Sequence, residues 1–91
     1  MTNITDQFIA DLVYEIEDFR RIYEPDQFIQ DYMGFRDHED YIEQTSIDVA
    51  TNLDEYIRLF TSHLKDVETQ GNEELIFRCL NVLTDLKKLK G

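Results

Sequence analysis

Apolar residues recur at intervals of three and four along most of this chain, which is the spacing of one face of an α-helix. The first stripe ends before Pro25, because proline disfavours helical geometry in the residue that precedes it. The last stripe follows Gly71-Asn72, where a glycine ends one helix and an asparagine caps the next. The pattern predicts a first helix that ends near residue 23 and a last helix over residues 73–90.

These two stripes define the core faces of their helices. The first face consists of Phe8, Ile9, Leu12, Val13, Ile16, Phe19 and Tyr23. The last face consists of Leu75, Ile76, Cys79, Leu80, Leu83 and Leu86. Asn3 or Thr5 is expected to cap the first helix, since a short polar side chain accepts hydrogen bonds from free N–H groups of the first turn. Glu17 and Arg21 are expected to pair on the outward side of that helix.

A short second helix is predicted to begin at Pro25, because proline suits the first helical turn. Its apolar side consists of Phe28, Ile29, Tyr32 and Met33. Gly34 is expected to close this helix in a left-handed conformation, which glycine adopts at less cost than other residues.

The middle of the chain divides into two predicted helices. Asp37 can cap a helix over residues 38–50. Asn52 is typical of a fresh start, with a second helix over residues 53–69. The alternative is one long helix over residues 38–69 with polar interruptions.

Stripes of this length, joined by short connections, predict an all-α fold, a small antiparallel helical bundle of four to five helices. Three glycines and one proline are too few turn residues for an all-β domain of 91 residues. The length corresponds to a single helical-bundle domain over residues 1–91.

The net charge of −11 is concentrated in the middle of the chain. Residues 24–48 contain eight acids and only Arg36 as a base, which gives −7. No lysine occurs between positions 22 and 64, whereas a solvated face usually mixes lysine with its acids. The same segment contains aromatic residues, which bury contact area at low entropic cost.

Carboxylates interleaved with aromatic rings are suited to binding a basic protein surface, because charge steers the encounter and rings supply buried contact. A purely structural explanation exists for each residue as well, since acids keep small proteins in solution and rings pack helices. The predicted partner-binding residues are Asp31, Tyr32, Phe35, Asp37, Glu39, Asp40, Tyr41 and Glu43.

Several other functions are disfavoured by composition and motif. The negative charge repels nucleic acids and anionic membranes, and no apolar run approaches the length of a membrane span. Cys79 is alone, which excludes an internal disulfide, and its place on an apolar stripe indicates an inert core residue. With no signal peptide pattern, the chain is expected to be cytoplasmic.

Catalytic and cofactor chemistry has little support in the sequence, so a non-enzymatic protein without cofactors or metals is expected. Ser62 and His63 are helical neighbours whose side chains point about 100° apart, which is not a nucleophile–base geometry. His38 lies in an acidic turn without the spacing of a known metal motif.

The predicted function is an immunity protein or antitoxin that inhibits a bacterial nuclease toxin by covering its cationic surface. Such proteins fit this physical description, as do phage inhibitors that imitate nucleic acid, although no motif of a particular family is present. The alternatives are a secretion chaperone and a regulatory adaptor that forms homodimers through Tyr14, Leu59 and Phe77. A metal-assisted enzyme using His38 is the third hypothesis.

Overall fold

A computed structural model describes residues 3–91, and the side chains of residues 7–91. Five helices and no strand occur in this part of the chain, which confirms the all-α bundle. The helices are α1 (Asn3–Tyr23), α2 (Pro25–Tyr32), α3 (His38–Thr51), α4 (Leu53–Gln70) and α5 (Glu73–Lys90). The middle region therefore forms two helices rather than one, with Asn52 between them.

Helix α1 lies at the centre of the packing and contacts α2, α3 and α5. Helix α4 packs against α5 and, less extensively, against α3. The core is formed by one apolar face from each helix, and its fully buried rings include Phe19, Phe28 and Phe60. The shared core makes each short helix depend on its neighbours, since an isolated helix of eight residues is not stable in water.

Helices α4 and α5 form an antiparallel hairpin. Gly71 adopts a left-handed conformation with φ of 72°, as expected for a glycine that ends a helix. The Asn72 side chain caps α5 by accepting a hydrogen bond from the Leu75 N–H at 3.2 Å. At the open end of the hairpin, the Lys90 Nζ pairs with Asp54 Oδ1 at 2.7 Å. The predicted stop and start signals between these helices are confirmed.

Two predicted helix ends are wrong in detail. Gly34 does not have a positive φ, because the chain leaves α2 through right-handed turns in which the Gly34 N–H donates to the Asp31 carbonyl at 3.1 Å. Asn52 precedes α4, but its side chain does not cap that helix. Its amide instead donates back to Asp48 on α3. Asp37 does cap α3, accepting from the Asp40 N–H at 2.8 Å.

The predicted faces need corrections on three helices. On α2, Ile29 and Met33 of the predicted apolar side are exposed. Glu17 is only 6% exposed rather than outward-facing, because α1 is covered on several sides. Its pair with Arg21 is nevertheless present at 2.6 Å. Leu80 is 45% exposed, and Val82 is buried on the core face of α5. The prediction that Asn3 or Thr5 caps α1 concerns side chains outside those that the structure describes.

Candidate functional site

The segment of residues 24–48, here called the acidic corner, is formed by α2, the turn after it and most of α3. Arg36 lies in that turn, and its guanidinium pairs with Asp40 at 3.4 Å. Arg20 reaches the corner from α1 and pairs with Glu24 at 2.6 Å and with Asp31 at 2.7 Å. This hydrogen bond from Arg20 lowers the pKa of Asp31.

The other carboxylates of the acidic corner have no cation within ion-pair distance among the described side chains. They are Asp26, Asp37, Glu39, Glu43 and Asp48. Glu39 and Glu43 are exposed and lie one turn apart on α3, so their charges face solvent together. Asp37 is exposed and also acts as the helix cap. Most of the negative charge of this segment is thus uncompensated by the side chains of residues 7–91.

The aromatic residues of the corner are divided between core and surface. Tyr41 is 2% exposed and packs its ring against Phe28 and Phe35, with ring centroids 5.8 and 5.4 Å away. Burial raises the pKa of Tyr41 to about 12. Tyr41 is therefore a core residue whose ring is almost fully covered. Phe35 is only half-buried and lies at the edge of this cluster.

Tyr32 is half-buried and connects α2 with the start of α3. Its hydroxyl lies 3.1 Å from His38 Nδ1, and its ring centroid lies 5.1 Å from that of Tyr41. His38 also approaches Tyr14 of α1, with ring centroids 5.8 Å apart. His38 is thus part of an aromatic contact between three helices.

A groove of about 640 Å³ opens between α1 and α2 on one side and α3 and α4 on the other. It brings together three of the predicted residues, Asp31, Phe35 and Tyr41. The remaining five predicted residues do not line it. The other lining residues are Ile16, Arg20, Glu24, Gln27, Gln44, Thr45, Asp48, Tyr56, Leu59, Phe60 and His63.

The groove has one firmly held carboxylate. The Tyr56 hydroxyl donates to Asp48 Oδ2 at 2.6 Å, and the Asn52 amide donates to Asp48 Oδ1 at 2.9 Å. Burial, with Asp48 as hydrogen-bond partner, raises the pKa of Tyr56 and keeps its hydroxyl protonated as a donor. His63 packs between Tyr23 and Phe60, and its burial lowers its pKa, which favours the neutral ring.

The sequence pattern does not reveal the groove. Tyr56 and Phe60 have the spacing of a helical apolar stripe, and Arg20 is one of two adjacent arginines. Asp48 is one of the eight acids of residues 24–48 but is not among the predicted partner-binding residues. The groove is lined by residues from all helices except α5, and no local sequence pattern specifies how these helices pack together.

The remaining candidate residues lie outside the acidic corner. Cys79 is buried and its Sγ donates to the Phe60 carbonyl at 3.2 Å, while burial raises the thiol pKa to about 11. Tyr14, Leu59 and Phe77 are exposed, as expected, and lie on three different helices.

The described residues contain no group of three or more His, Cys, Asp or Glu side chains suited to a metal ion. Within residues 3–91, no helix combines the length and apolar content that crossing a membrane requires.

No protein-family model, curated protein or solved structure matches this chain. Its function is therefore inferred from the residues and their geometry.

Proposed function

We propose that this protein is a non-enzymatic, cytoplasmic binding protein that neutralises a basic protein partner. The class that fits best is an immunity protein or antitoxin that covers the cationic surface of a nuclease toxin. The observation that carries the proposal is the acidic corner, in which five of eight carboxylates have no cation within ion-pair distance among the described side chains.

Uncompensated carboxylates on one segment carry an energetic cost, because like charges repel one another in the folded state. A partner that supplies lysine and arginine removes this repulsion and gains charge-assisted hydrogen bonds. The cleft of a nuclease is cationic because it binds phosphates, so it offers that complement. We expect the exposed side chains of Glu39 and Glu43 to contact this cationic cleft first.

Aromatic contacts of the proposed surface are limited to Tyr32 and Phe35, which are half-buried beside the carboxylates. Their exposed edges provide apolar area next to the charges, as interface anchors do. Tyr41 supports both rings from below and is not part of the surface itself.

The proposal is tested by capturing the partner from a lysate of the native host on immobilised protein. The Glu39→Lys/Glu43→Lys variant reverses two charges of the acidic corner. The matched control, Glu68→Lys/Glu73→Lys, makes the same change at exposed positions of α4 and α5. A basic protein that is retained by the wild type and the control, but lost by the corner variant, is the expected result.

Binding of that partner is then measured with purified components. We expect the corner variant to bind at least about 100-fold more weakly, because close interfacial charge pairs couple by several kcal/mol. Equal retention by both variants, or retention of acidic proteins only, would overturn the proposal.

A further inference from the structure

The groove between α1–α2 and α3–α4 has a mixed lining that a purely structural role does not require. Buried Ile16 and Phe60 make its floor apolar. Glu24, Asp31 and Asp48 contribute carboxylates to its lining. Its volume of about 640 Å³ falls within the range of pockets that hold ligands.

The carboxylates of the groove differ in how they are compensated. Glu24 and Asp31 share the guanidinium of Arg20. Asp48 is held only by the neutral donors Tyr56 and Asn52, and no described cation lies within ion-pair distance of it. These two hydrogen bonds fix the position of the Asp48 carboxylate without neutralising it, so that it is preorganised for a cation from outside.

The aromatic part of the lining favours a guanidinium over other cations. Phe35 and Tyr56 contribute rings to the groove, and the Tyr56 hydroxyl contacts the Asp48 carboxylate. A guanidinium is attracted to aromatic rings and binds a carboxylate through a planar fork of donors, whereas an ammonium is more strongly hydrated. The same preference operates within this protein, since the guanidinium carbons of Arg20 and Arg21 lie 5.6 and 4.9 Å from the centroid of the Phe28 ring.

We propose that the groove receives an arginine side chain of the basic partner, with its guanidinium on Asp48 and its aliphatic stem along the aromatic lining. This inference rests on the proposed function, because the partner supplies the arginine. The exposed carboxylates attract the basic partner, and the groove adds one specific contact to the interface.

The test uses a model compound instead of the partner. Nα-acetylarginine amide carries the guanidinium without terminal charges, and Nα-acetylcitrulline amide is its neutral analogue of the same shape. In a ¹⁵N–¹H NMR titration, the arginine compound is expected to shift the amide signals of Gln44, Thr45, Asp48 and Tyr56 in a saturable way. The citrulline compound is expected to bind at least about tenfold more weakly, since it lacks the charge-assisted hydrogen bonds.

Two variants locate the binding to the groove. Asp48→Asn removes the charge and is expected to weaken binding about tenfold. Gln44→Lys places a cation on the exposed wall of the groove without altering the core, and is expected to abolish binding even if Asp48→Asn disturbs Tyr56. The matched control Glu68→Gln removes an exposed carboxylate of α4 outside the groove and leaves binding within about twofold of the wild type.

The groove inference is overturned if citrulline amide binds as well as arginine amide, or if Asp48→Asn and Gln44→Lys bind as the wild type does. Its failure is distinguishable from failure of the proposed function. Loss of partner capture in Glu39→Lys/Glu43→Lys without arginine-amide binding rejects the groove alone. Arginine-amide binding without any basic protein captured rejects the proposed function instead.

Discussion

The acidic corner and the α4–α5 hairpin differ in their net charge. The hairpin region, residues 53–91, contains seven acids and six bases, whereas the corner contains eight acids and one base. Three of the seven hairpin acids pair with cations of the same region, among them Asp54 with Lys90 at 2.7 Å and Glu74 with Arg78 at 3.2 Å, and the other four have no cation within ion-pair distance among the described side chains. The hairpin is thus nearly neutral as a unit, while the corner depends on a cation from α1 and still keeps most of its charge.

This difference indicates that the negative charge is not simply a property of the whole surface. If acids served solubility alone, they would be expected to mix with lysine throughout, as they do toward the C-terminal end. Lysine is instead absent from the corner. The two regions share one apolar core, so their difference lies at the surface.

The largest expected effect tests whether packing, rather than charge, holds the hairpin. Phe60 is 1% exposed and contacts Phe19 of α1, with ring centroids 5.4 Å apart. Phe60→Ala is expected to lower the free energy of unfolding by about 3–5 kcal/mol in urea denaturation. Phe77→Ala, at a position that is 66% exposed, is the control and should change it by no more than about 0.5 kcal/mol. Similar values for the two variants would contradict the assigned core.

An intermediate effect distinguishes the ion pairs of the two regions. Arg20 is half-buried and serves two carboxylates of the corner, while Arg58 in the hairpin forms an exposed pair with Glu55 at 3.1 Å. We expect Arg20→Gln to destabilise the protein by about 2 kcal/mol at pH 7, and Arg58→Gln by less than about 0.5 kcal/mol.

The loss in Arg20→Gln should also depend on pH. Because Arg20 lowers the pKa of Asp31 in the folded state, its stabilising effect is present above the ordinary value of 3.8 and is lost as the pH falls below it. If Arg20→Gln and Arg58→Gln lowered the free energy of unfolding equally, the ion pairs of the two regions would not differ in strength.

The smallest expected effect is a change of stability with pH, caused by Glu15 of α1 where it faces the hairpin. Burial, together with nearby Asp85 of α5 and then Asp11 and Asp18, raises the pKa of Glu15 to about 7. Between the ordinary value of 4.5 and about 7, the folded state keeps a proton that the unfolded chain has released. Stability is therefore expected to decline by about 1 kcal/mol as the pH rises through this window, a figure reduced for partial solvent exposure.

Glu15→Gln should flatten that decline in urea denaturation at a series of pH values. The control Glu68→Gln removes an exposed carboxylate and should leave the decline unchanged. An unaltered pH profile in Glu15→Gln would mean that another group is responsible.

The sequence predicts the helices well because their signals are local. Each signal acts within one or two turns of backbone, and the bounds of the five helices agree with these signals. The signals are the stripe spacing, Pro25, Asp37 and the Gly71-Asn72 pair. The prediction that Gly34 ends α2 in a left-handed conformation is wrong, because a glycine permits that conformation without requiring it.

The candidate site is less predictable because it depends on which faces the helices turn toward one another. Tyr41 alternates with exposed acids on α3, and only the packing of α3 on α1 shows that its ring is buried. Glu17 is covered for the same reason. The Asp48 carboxylate is held by Tyr56 of the next helix, a contact that stripe spacing does not specify.

The salt dependence of partner binding tests the central claim most directly. Affinity for the captured partner is measured by calorimetry from about 50 to about 300 mM salt, a range over which screening of surface charges increases. We predict a steep loss of affinity for the wild type and for Glu68→Lys/Glu73→Lys, and a shallower slope for Glu39→Lys/Glu43→Lys. A slope that is the same in all three proteins would contradict the claim that the uncompensated carboxylates of the acidic corner bind the partner.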